Sequence, residues 1–249
     1  MLEVFEKGYD MHSYVAWLIY PEIIPRDVDI SSIKEKYHSL RQGAKGPEFT
    51  FAFLGTWATL VANYGMSKEE AMRIEEYYKK GFAGATRYQE QCKKYTESTG
   101  IIRICRETGH ISRWWDWKKW NKRQHSKEFW DEYRERKAAG LPRTEEANEH
   151  FAARNKYDKN SVNSTTQGLG AVIFKEFTYA LYIWILDKGY QNKVKFCVPV
   201  HDEICEECPK ELTSEVVAAT KHFMETIGAK YCHRLPLPAE EEVGPFWKH

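Results

Sequence analysis

The sequence has almost no excess of charge of either sign. It contains 37 basic and 36 acidic side chains, which gives a formal net charge of +1. A basic excess is typical of nucleic-acid-binding domains, so the net charge does not support that class. It does not exclude the class either, because a basic cleft can lie on a neutral protein.

The chain also lacks a long apolar run, a regular cysteine pattern and an internal repeat. No apolar stretch approaches the ~20 residues that span a bilayer, and the charged N-terminal segment is unlike a signal peptide. The six cysteines are irregularly spaced in a chain of 249 residues, which favours reduced thiols over a disulfide scaffold. These absences predict a soluble, cytoplasmic protein with no membrane partner.

A hydrophobic content of 42%, with 14% aromatic residues, is enough for a substantial core. The apolar spacing predicts several helices with a few strands, an α+β arrangement. Helices are predicted at 1–20 and at 214–231. A further helix is predicted from Ile33 through Arg41 and Lys45, capped by Ser31 or Ser32, and another is opened by a Ser67–Glu70 capping box, with Ala71, Ile74 and Tyr78 on one face. A long helical region is predicted at 151–187, with a break near Gly168 and Gly170. The predicted strands lie at 101–105 and on both sides of 201–203, and 235–247 is a final extended segment.

Two cations and two aromatic residues are spaced four apart at Arg41, Lys45, Phe49 and Phe53. On an α-helix each step of four advances the direction by roughly 40°, so the side chains share one gently spiralling face. The cations can meet the phosphate oxygens of a nucleoside triphosphate while a ring covers the sugar or base. A solvated cation pair beside core aromatics would produce the same spacing.

Two adjacent carboxylates, Asp202 and Glu203, follow His201 between the two predicted strands. Mg²⁺ prefers carboxylate oxygens, and two such ions can clamp the attacking and leaving oxygens of a phosphoryl transfer. A charged hairpin tip is the alternative interpretation. Upstream, Asn163 and Gln167 lie one helical turn apart, which suits contacts to base edges or sugars but also fits a polar helix start.

These three patterns occur in one order: RQGAKGPEFTFAFLG, NSTTQGLGAVIFKEF and VPVHDEICEECP. Together they resemble the family A DNA polymerases of the bacterial DNA polymerase I type. The opening segment MLEVFEKGYDMHSYVA is similar to a family segment with Asp-x-His, and LPLPAEEEVGPFW to the last palm strand. The resemblance implies a mainly helical fingers region at 1–165, with an insertion at about 106–150 that has no family counterpart, and an antiparallel-sheet half of the palm at 166–249.

The resemblance also implies roles for individual residues. The residues expected at the incoming nucleotide are His12, Arg41, Lys45, Phe49 and Phe53. Those expected at the primer–template are Lys159, Asn163, Gln167 and His201. The expected metal ligands are Asp202 and its neighbour Glu203, the latter of lesser importance, and both act with Arg41 and Lys45 in catalysis. A phenylalanine at position 49, where a tyrosine is the alternative, implies stronger rejection of dideoxynucleotides.

The implied reaction is addition of a deoxynucleotide to a DNA primer 3′ end by two-metal phosphoryl transfer. In the family a second catalytic aspartate lies upstream of the region matching this chain. We therefore expect a subunit of a split polymerase, with a truncated gene product as the alternative. In the split form two Mg²⁺ ions are shared with a carboxylate from a separate N-terminal polypeptide, which also carries the thumb. A phage origin would place the pair in the host cytoplasm. The alternatives are an inactive primer–template-binding remnant and a relative of single-subunit RNA polymerases, although Phe49 and Glu203 favour DNA synthesis.

Three sequence features depart from the family pattern. Gly46-Pro47 predicts a kink between the two cations and the two aromatics, because proline removes a helical hydrogen bond. In the insertion, tryptophans alternate with cations, which suits stacking on a single-stranded template or, alternatively, a small satellite core with peripheral lysines. Cys205-x-x-Cys208 with Cys232-His233 superficially resembles a zinc site, but the spacing does not favour one.

Overall fold

The computed structural model describes residues 2–115, 117, 125–200 and 202–247. The chain folds as two compact units. The first comprises Met1–Arg103 and Ile111–Thr165, and the second comprises Ile104–His110 and Thr166–His249. Helices dominate the described residues and are accompanied by two antiparallel strand pairs, which confirms the predicted α+β class.

The first unit begins with two helices where one was predicted. α1 spans Leu2–Glu6 and α2 spans Met11–Ile19. Gly8 adopts a φ of 67°, a left-handed conformation that ends α1. Asp10 then caps α2, because its carboxylate accepts the backbone N–H of Ser13 at 2.8 Å. The apolar spacing over 1–20 is thus shared by two helices.

The next helices are short turns followed by one longer helix. A 3₁₀ turn at Ile30–Ser32 is capped by Asp29, in place of the predicted Ser31 or Ser32 cap. α3 covers Ile33–Lys36 and α4 covers His38–Ala52, with a break at Tyr37 where φ is −127°. The predicted single helix through this region is therefore two helices.

The capping box predicted at Ser67 is confirmed at its first bond. The Ser67 hydroxyl accepts the N–H of Glu70 at 3.2 Å and opens α6, Lys68–Gly81. The apolar face of α6 is buried as predicted and packs in a core with α2 and α4. The remaining helices around this core are α5, Trp57–Tyr64, and α7, Ala83–Thr99.

The described part of the predicted insertion contains the second strand of a strand pair and a helix. β1, Ile101–Arg103, pairs antiparallel with β2, Ile111–Arg113. α8 covers Lys127–Ala138, and Gly140 ends it with a φ of 68°. Trp114 packs against Cys92, Ile102 and Val162, as expected for a small satellite core. Trp115 is 85% exposed, as expected for a ring that stacks on a single-stranded template. The neighbouring cations, Lys118, Lys119, Lys122 and Arg123, and Trp120 lie outside the described residues.

An aromatic cluster joins α8 to the helix that follows it. His150 is only 2% exposed and lies against His125, with ring centroids 4.5 Å apart. Phe129 and Trp130 of α8 pack edge-on to the same imidazole. His150 Nδ1 has no hydrogen-bond partner among the described residues, so a charged imidazolium would be poorly solvated there.

Burial therefore lowers the pKa of His150 from 6.5 to about 4. The unfolded chain takes up this proton first as pH falls, so the stabilising effect of the neutral ring is complete above pH 6.5 and is lost as pH approaches 4. We expect the free energy of unfolding to drop by up to about 3 kcal/mol over that interval. Urea denaturation at several pH values should show the drop in the native chain, and the drop should be much smaller in His150→Leu. An equal pH dependence in the two proteins would contradict the assignment.

α9, Glu145–Asp187, is a single long helix. It is not interrupted at Gly168 or Gly170, contrary to the predicted break. Gly168 instead permits close packing, since a Cβ there would lie 2.9 Å from Ile104 Cγ2. Within the described ranges α9 alone is long and apolar enough to cross a membrane, which contradicts the expectation of no such run. Length and composition carry little weight, because core helices of soluble proteins meet the same criterion.

The second unit places a hairpin beside two helices. β3, Lys195–Val200, pairs antiparallel with β4, Glu203–Glu207, and α10 covers Thr213–Tyr231. Both the hairpin and α10 are confirmed. Phe177, Leu181 and Ile185 of α9 form the buried core, against which Phe196 and Ile204 of the hairpin pack. The final segment, predicted to be a palm strand, has no strand pairing over 235–247.

Candidate functional site

Three of the four evenly spaced residues lie on α4. Arg41, Lys45 and Phe49 are helical, and Phe53 is the residue that ends the helix, with its N–H donated to Phe49 O at 3.2 Å. The predicted interruption of the helix at Gly46-Pro47 is wrong, because α4 continues through Pro47, whose ring is fully buried. Burial of the ring offsets the lost hydrogen bond.

Neighbouring helices fix both the middle and the end of α4. A Cβ at Gly46 would lie 2.6 Å from Tyr64 Cε1, so glycine allows α5 to approach closely. The Gln89 amide of α7 donates to the carbonyls of Phe51 and Ala52 at 2.9 and 3.0 Å. These bonds satisfy two carbonyls that the helix end leaves open.

Arg41 is held by a carboxylate from α2. Its Nε donates to Asp10 Oδ2 at 2.7 Å and its Nη2 to Asp10 Oδ1 at 2.9 Å, a side-on bidentate pair. The Arg41 guanidinium keeps the pKa of the Asp10 carboxyl far below its usual range, assisted by two bonds from Ser13. The pair therefore stays ionised at any ordinary pH.

His12 is held in a similar way from α4. Its Nδ1 lies 2.6 Å from Glu48 Oε2, and both side chains are largely shielded from solvent. The ring also meets Phe49 edge-on, with centroids 6.0 Å apart. Phe49 is itself 54% exposed, which leaves its ring available to a ligand.

Lys45 is half-buried and differs from the other two cationic side chains. It makes no hydrogen bond or ion pair with any residue that the structure describes. Arg41, Lys45, His12 and Phe49 therefore belong to one pair of helices, α2 and α4. Within the part of the chain that the structure describes, Arg41 and His12 each contact a carboxylate and Lys45 contacts none. Such a surface can attract a polyphosphate and cover it with a ring.

Three of the four residues predicted to contact primer–template lie along α9. Lys159 and Asn163 belong to the first unit and Gln167 to the second. The Asn163 Oδ1 atom is buried and has no hydrogen-bond partner among the described residues, whereas Gln167 is exposed. His201, the fourth predicted contact, lies outside the described residues.

The predicted metal ligand lies at the tip of the β3–β4 hairpin. The strand register pairs Val200 with Glu203, so Asp202 lies in the turn that precedes β4, where its side chain is exposed. The Trp247 indole donates to Glu203 Oε1 at 2.7 Å and brings the C-terminal segment back to the hairpin. Further along β4, burial raises the pKa of the Glu206 carboxyl, which accepts a bond from Thr220.

The carboxylates present fit part of an Mg²⁺ site. Mg²⁺ requires near-octahedral oxygen coordination, to which an exposed aspartate and its neighbour can contribute. In the described part of the chain no three His, Cys, Asp or Glu side chains come together as a metal site, and this holds for Cys205, Cys208 and Cys232 as well. The hairpin therefore offers Asp202 as an available ligand and Glu203 as one already hydrogen-bonded.

Comparison with known proteins identifies the family. The family model for DNA polymerase family A matches residues 1–249, and the chain belongs to that family. DNA polymerase I of Streptococcus pneumoniae serotype 4 is 26% identical over 247 residues, which are 99% of this chain and 23% of that protein. DNA polymerase I of Aquifex aeolicus is 26% identical over 256 residues, covering 99% of this chain and 35% of that protein.

A solved structure shares the fold. The POL domain of Pol1 from M. smegmatis, in complex with DNA primer–template and dNTP, superposes with a TM-score of 0.69. The match covers 95% of this chain and 34% of that one at 20% sequence identity. The family and the fold expected from the resemblance are thus confirmed, and the chain spans only about a quarter to a third of its relatives' length.

Sequence reasoning noted the Asp10-x-His12 motif but gave no role to Asp10 or to Glu48, the two carboxylates that hold the cationic side chains. The role of Asp10 as a helix cap could have been predicted from its position before α2. Glu48 gave no such signal, because its spacing from Lys45 predicts an i, i+3 ion pair that the structure does not form.

Proposed function

We propose that this chain forms part of a DNA-directed DNA polymerase that extends a primer with deoxynucleotides. The observation that carries the proposal is the α4 face, where Arg41, Lys45 and Phe49 align in a chain matched along its whole length to DNA polymerase family A. The primer 3′-oxygen forms a bond to the α-phosphorus of the dNTP. The bond from that phosphorus to the bridging oxygen breaks, and pyrophosphate leaves.

The chain's own residues bind and orient the reactants. Arg41, Lys45 and His12 neutralise and position the triphosphate, and Phe49 covers the sugar. Phe53 lies on the template side, and Lys159, Asn163, Gln167 and His201 contact primer–template. Asp202, with Glu203 beside it, would hold Mg²⁺, which when bound would supply charge stabilisation for phosphoryl transfer.

We infer that a second polypeptide, which carries the other catalytic aspartate and the thumb, completes the enzyme. Assembly takes place in the cytoplasm, which is that of the host if the chain is phage-encoded. An exposed apolar stripe on α9 supports this partner. Its members are spaced i, i+3, i+4 and i+7 on one helix face: Tyr179, Tyr182, Ile183 and Leu186. Soluble monomers rarely expose large contiguous apolar surface, and the matched region is only 23% and 35% of two relatives, whose remaining chain could cover such a surface.

A charge within this stripe should disrupt assembly without unfolding the chain. We expect Ile183→Asp to weaken binding of the N-terminal polypeptide by about 30-fold, the effect of losing about 2 kcal/mol at an interface centre. The stability of the isolated chain should change by less than about 0.5 kcal/mol. Ala229→Asp, at an exposed position of α10, is the matched control. Unchanged affinity for Ile183→Asp, measured by calorimetry, would contradict the docking face.

Primer extension tests the function itself. The 249-residue chain is assayed with Mg²⁺, dNTPs and primer–template, alone and with the N-terminal polypeptide. We expect extension only with both chains, and none with rNTPs as substrates. Extension by the single chain would overturn the two-chain arrangement. Binding of DNA without extension under either condition would favour an inactive primer–template-binding protein.

A further inference from the structure

Two carboxylates contact the proposed triphosphate-binding side chains and have no role in the proposed function. They are Glu48 of α4 and Asp10, which caps α2. We propose that Glu48 is a positioning residue for His12, and that Asp10 does the same for Arg41, so that only Lys45 meets the triphosphate as an uncompensated cation. This inference rests on the proposed function, since it concerns the same site.

The His12–Glu48 contact determines where the imidazole carries a proton. A carboxylate only accepts hydrogen bonds, so the 2.6 Å contact requires a proton on His12 Nδ1. Nε2 forms no bond to the described residues and is the nitrogen left to face a ligand. When Nε2 is also protonated it can donate to a phosphate oxygen while Nδ1 remains bonded to Glu48.

The ring cannot swing away from α4 without losing two contacts. Glu48 holds one edge of the imidazole, and Phe49, the next residue on the helix, meets the ring at 6.0 Å. His12 and Glu48 are also largely shielded, with 24% and 15% of their side-chain surface exposed. A shielded hydrogen bond to a charged acceptor is stronger than an exposed one. Glu48 thus fixes the orientation of His12 before any nucleotide binds.

The same bond leaves Lys45 free. Glu48 follows Lys45 by three residues, a spacing at which glutamate and lysine commonly pair on a helix surface. The structure shows Glu48 bonded to His12, and no ion pair to Lys45 among the described residues. The carboxylate therefore orients one cationic side chain without neutralising the other.

Asp10 fixes the orientation of Arg41 in the same way. The side-on pair uses Nε and Nη2, so both N–H groups of Nη1 remain available to a phosphate. Asp10 also accepts bonds from the backbone and hydroxyl of Ser13, which anchor it to the start of α2. Arg41, with 12% of its side chain exposed, is consequently held in one place.

A pair of substitutions separates positioning from simple charge repulsion. Glu48→Gln keeps an oxygen that can accept a hydrogen bond from His12 Nδ1–H but removes the negative charge, whereas Glu48→Ala removes both the oxygen and the charge. If Glu48 positions His12, Glu48→Ala should weaken dNTP binding by about tenfold while Glu48→Gln stays within about threefold of the native chain. If Glu48 merely repels phosphate, both changes should tighten binding equally.

The experiment is equilibrium titration of the full 249-residue chain with Mg²⁺–dNTP, followed by intrinsic fluorescence. A double-mutant cycle adds His12→Ala, which should cost little further affinity in the Glu48→Ala background because the two act as one unit. Nitrogen-15 NMR of the His12 ring should show a protonated Nδ1 in the native chain. Glu76→Ala, an exposed carboxylate on α6 paired with Lys80, is the control for an equal change in charge.

Each outcome has one meaning. Weak binding by Glu48→Ala, near-native binding by Glu48→Gln and a non-additive cycle support the positioning role. Tighter binding by both variants, an additive cycle, or weakening that merely follows a loss of thermal stability overturns it. If the native chain binds no dNTP, the nucleotide site itself fails and the inference fails with it. If the native chain binds dNTP and the Glu48 variants match it, only the inference fails.

Discussion

Asp202→Asn should lower primer extension by the proposed two-chain polymerase about a thousandfold, equivalent to ~4 kcal/mol in transition-state stabilisation. The amide has the size of the carboxylate but lacks the negative charge that holds Mg²⁺. Asp202 occupies the turn of the β3–β4 hairpin, where its side chain is exposed and no described residue bonds to it. Stopped-flow or quench-flow extension assays with matched DNA concentrations measure the effect.

Two neighbouring carboxylates provide controls for Asp202→Asn. Glu207→Gln, at the far end of β4 opposite Lys195, should leave extension unchanged. Glu203→Gln should give a loss of about tenfold or less, because its oxygen can still accept the Trp247 indole proton. Binding of dNTP to the α4 face should survive in all three variants. Full extension by Asp202→Asn would remove Asp202 from the metal site.

Phe177→Ala should destabilise the second unit by about 3–5 kcal/mol, a loss typical of removing a fully buried aromatic ring. Phe177 is 1% exposed and packs with Leu181 and Ile185 of α9 against the hairpin residues Phe196 and Ile204. A two-stranded hairpin is marginal by itself and depends on such packing. We therefore expect the Asp202 turn to lose its support together with the core.

Urea denaturation with a hairpin-specific probe measures this loss. Lys175→Ala, two residues away at an exposed position of α9 outside the docking stripe, should change stability by less than about 0.5 kcal/mol. Equal destabilisation by the two variants would mean that the buried cluster does not carry the unit. Loss of extension in Phe177→Ala alone would link core packing to the catalytic turn.

The features predicted correctly are those that depend on neighbouring residues. The capped start of α6, its buried face, the β3–β4 hairpin and α10 were all readable from caps and apolar periods. The errors concern places where local signals conflict. Gly8 breaks an apolar period that continues across 1–20, and Pro47 remains helical because its ring is buried. Gly168 lies inside α9 because Ile104 packs against it.

The sequence by itself determined the family, the order of the motifs and the identity of the side chains that can meet phosphate and metal. Only the tertiary structure decided which of those side chains are held and which are free. Asp10 bonds Arg41 across 31 residues, His12 bonds Glu48 across 36, and Trp247 bonds Glu203 across 44. Helix caps and apolar periods are encoded within a few residues, whereas these pairs exist only because packing brings distant helices and segments within hydrogen-bond distance.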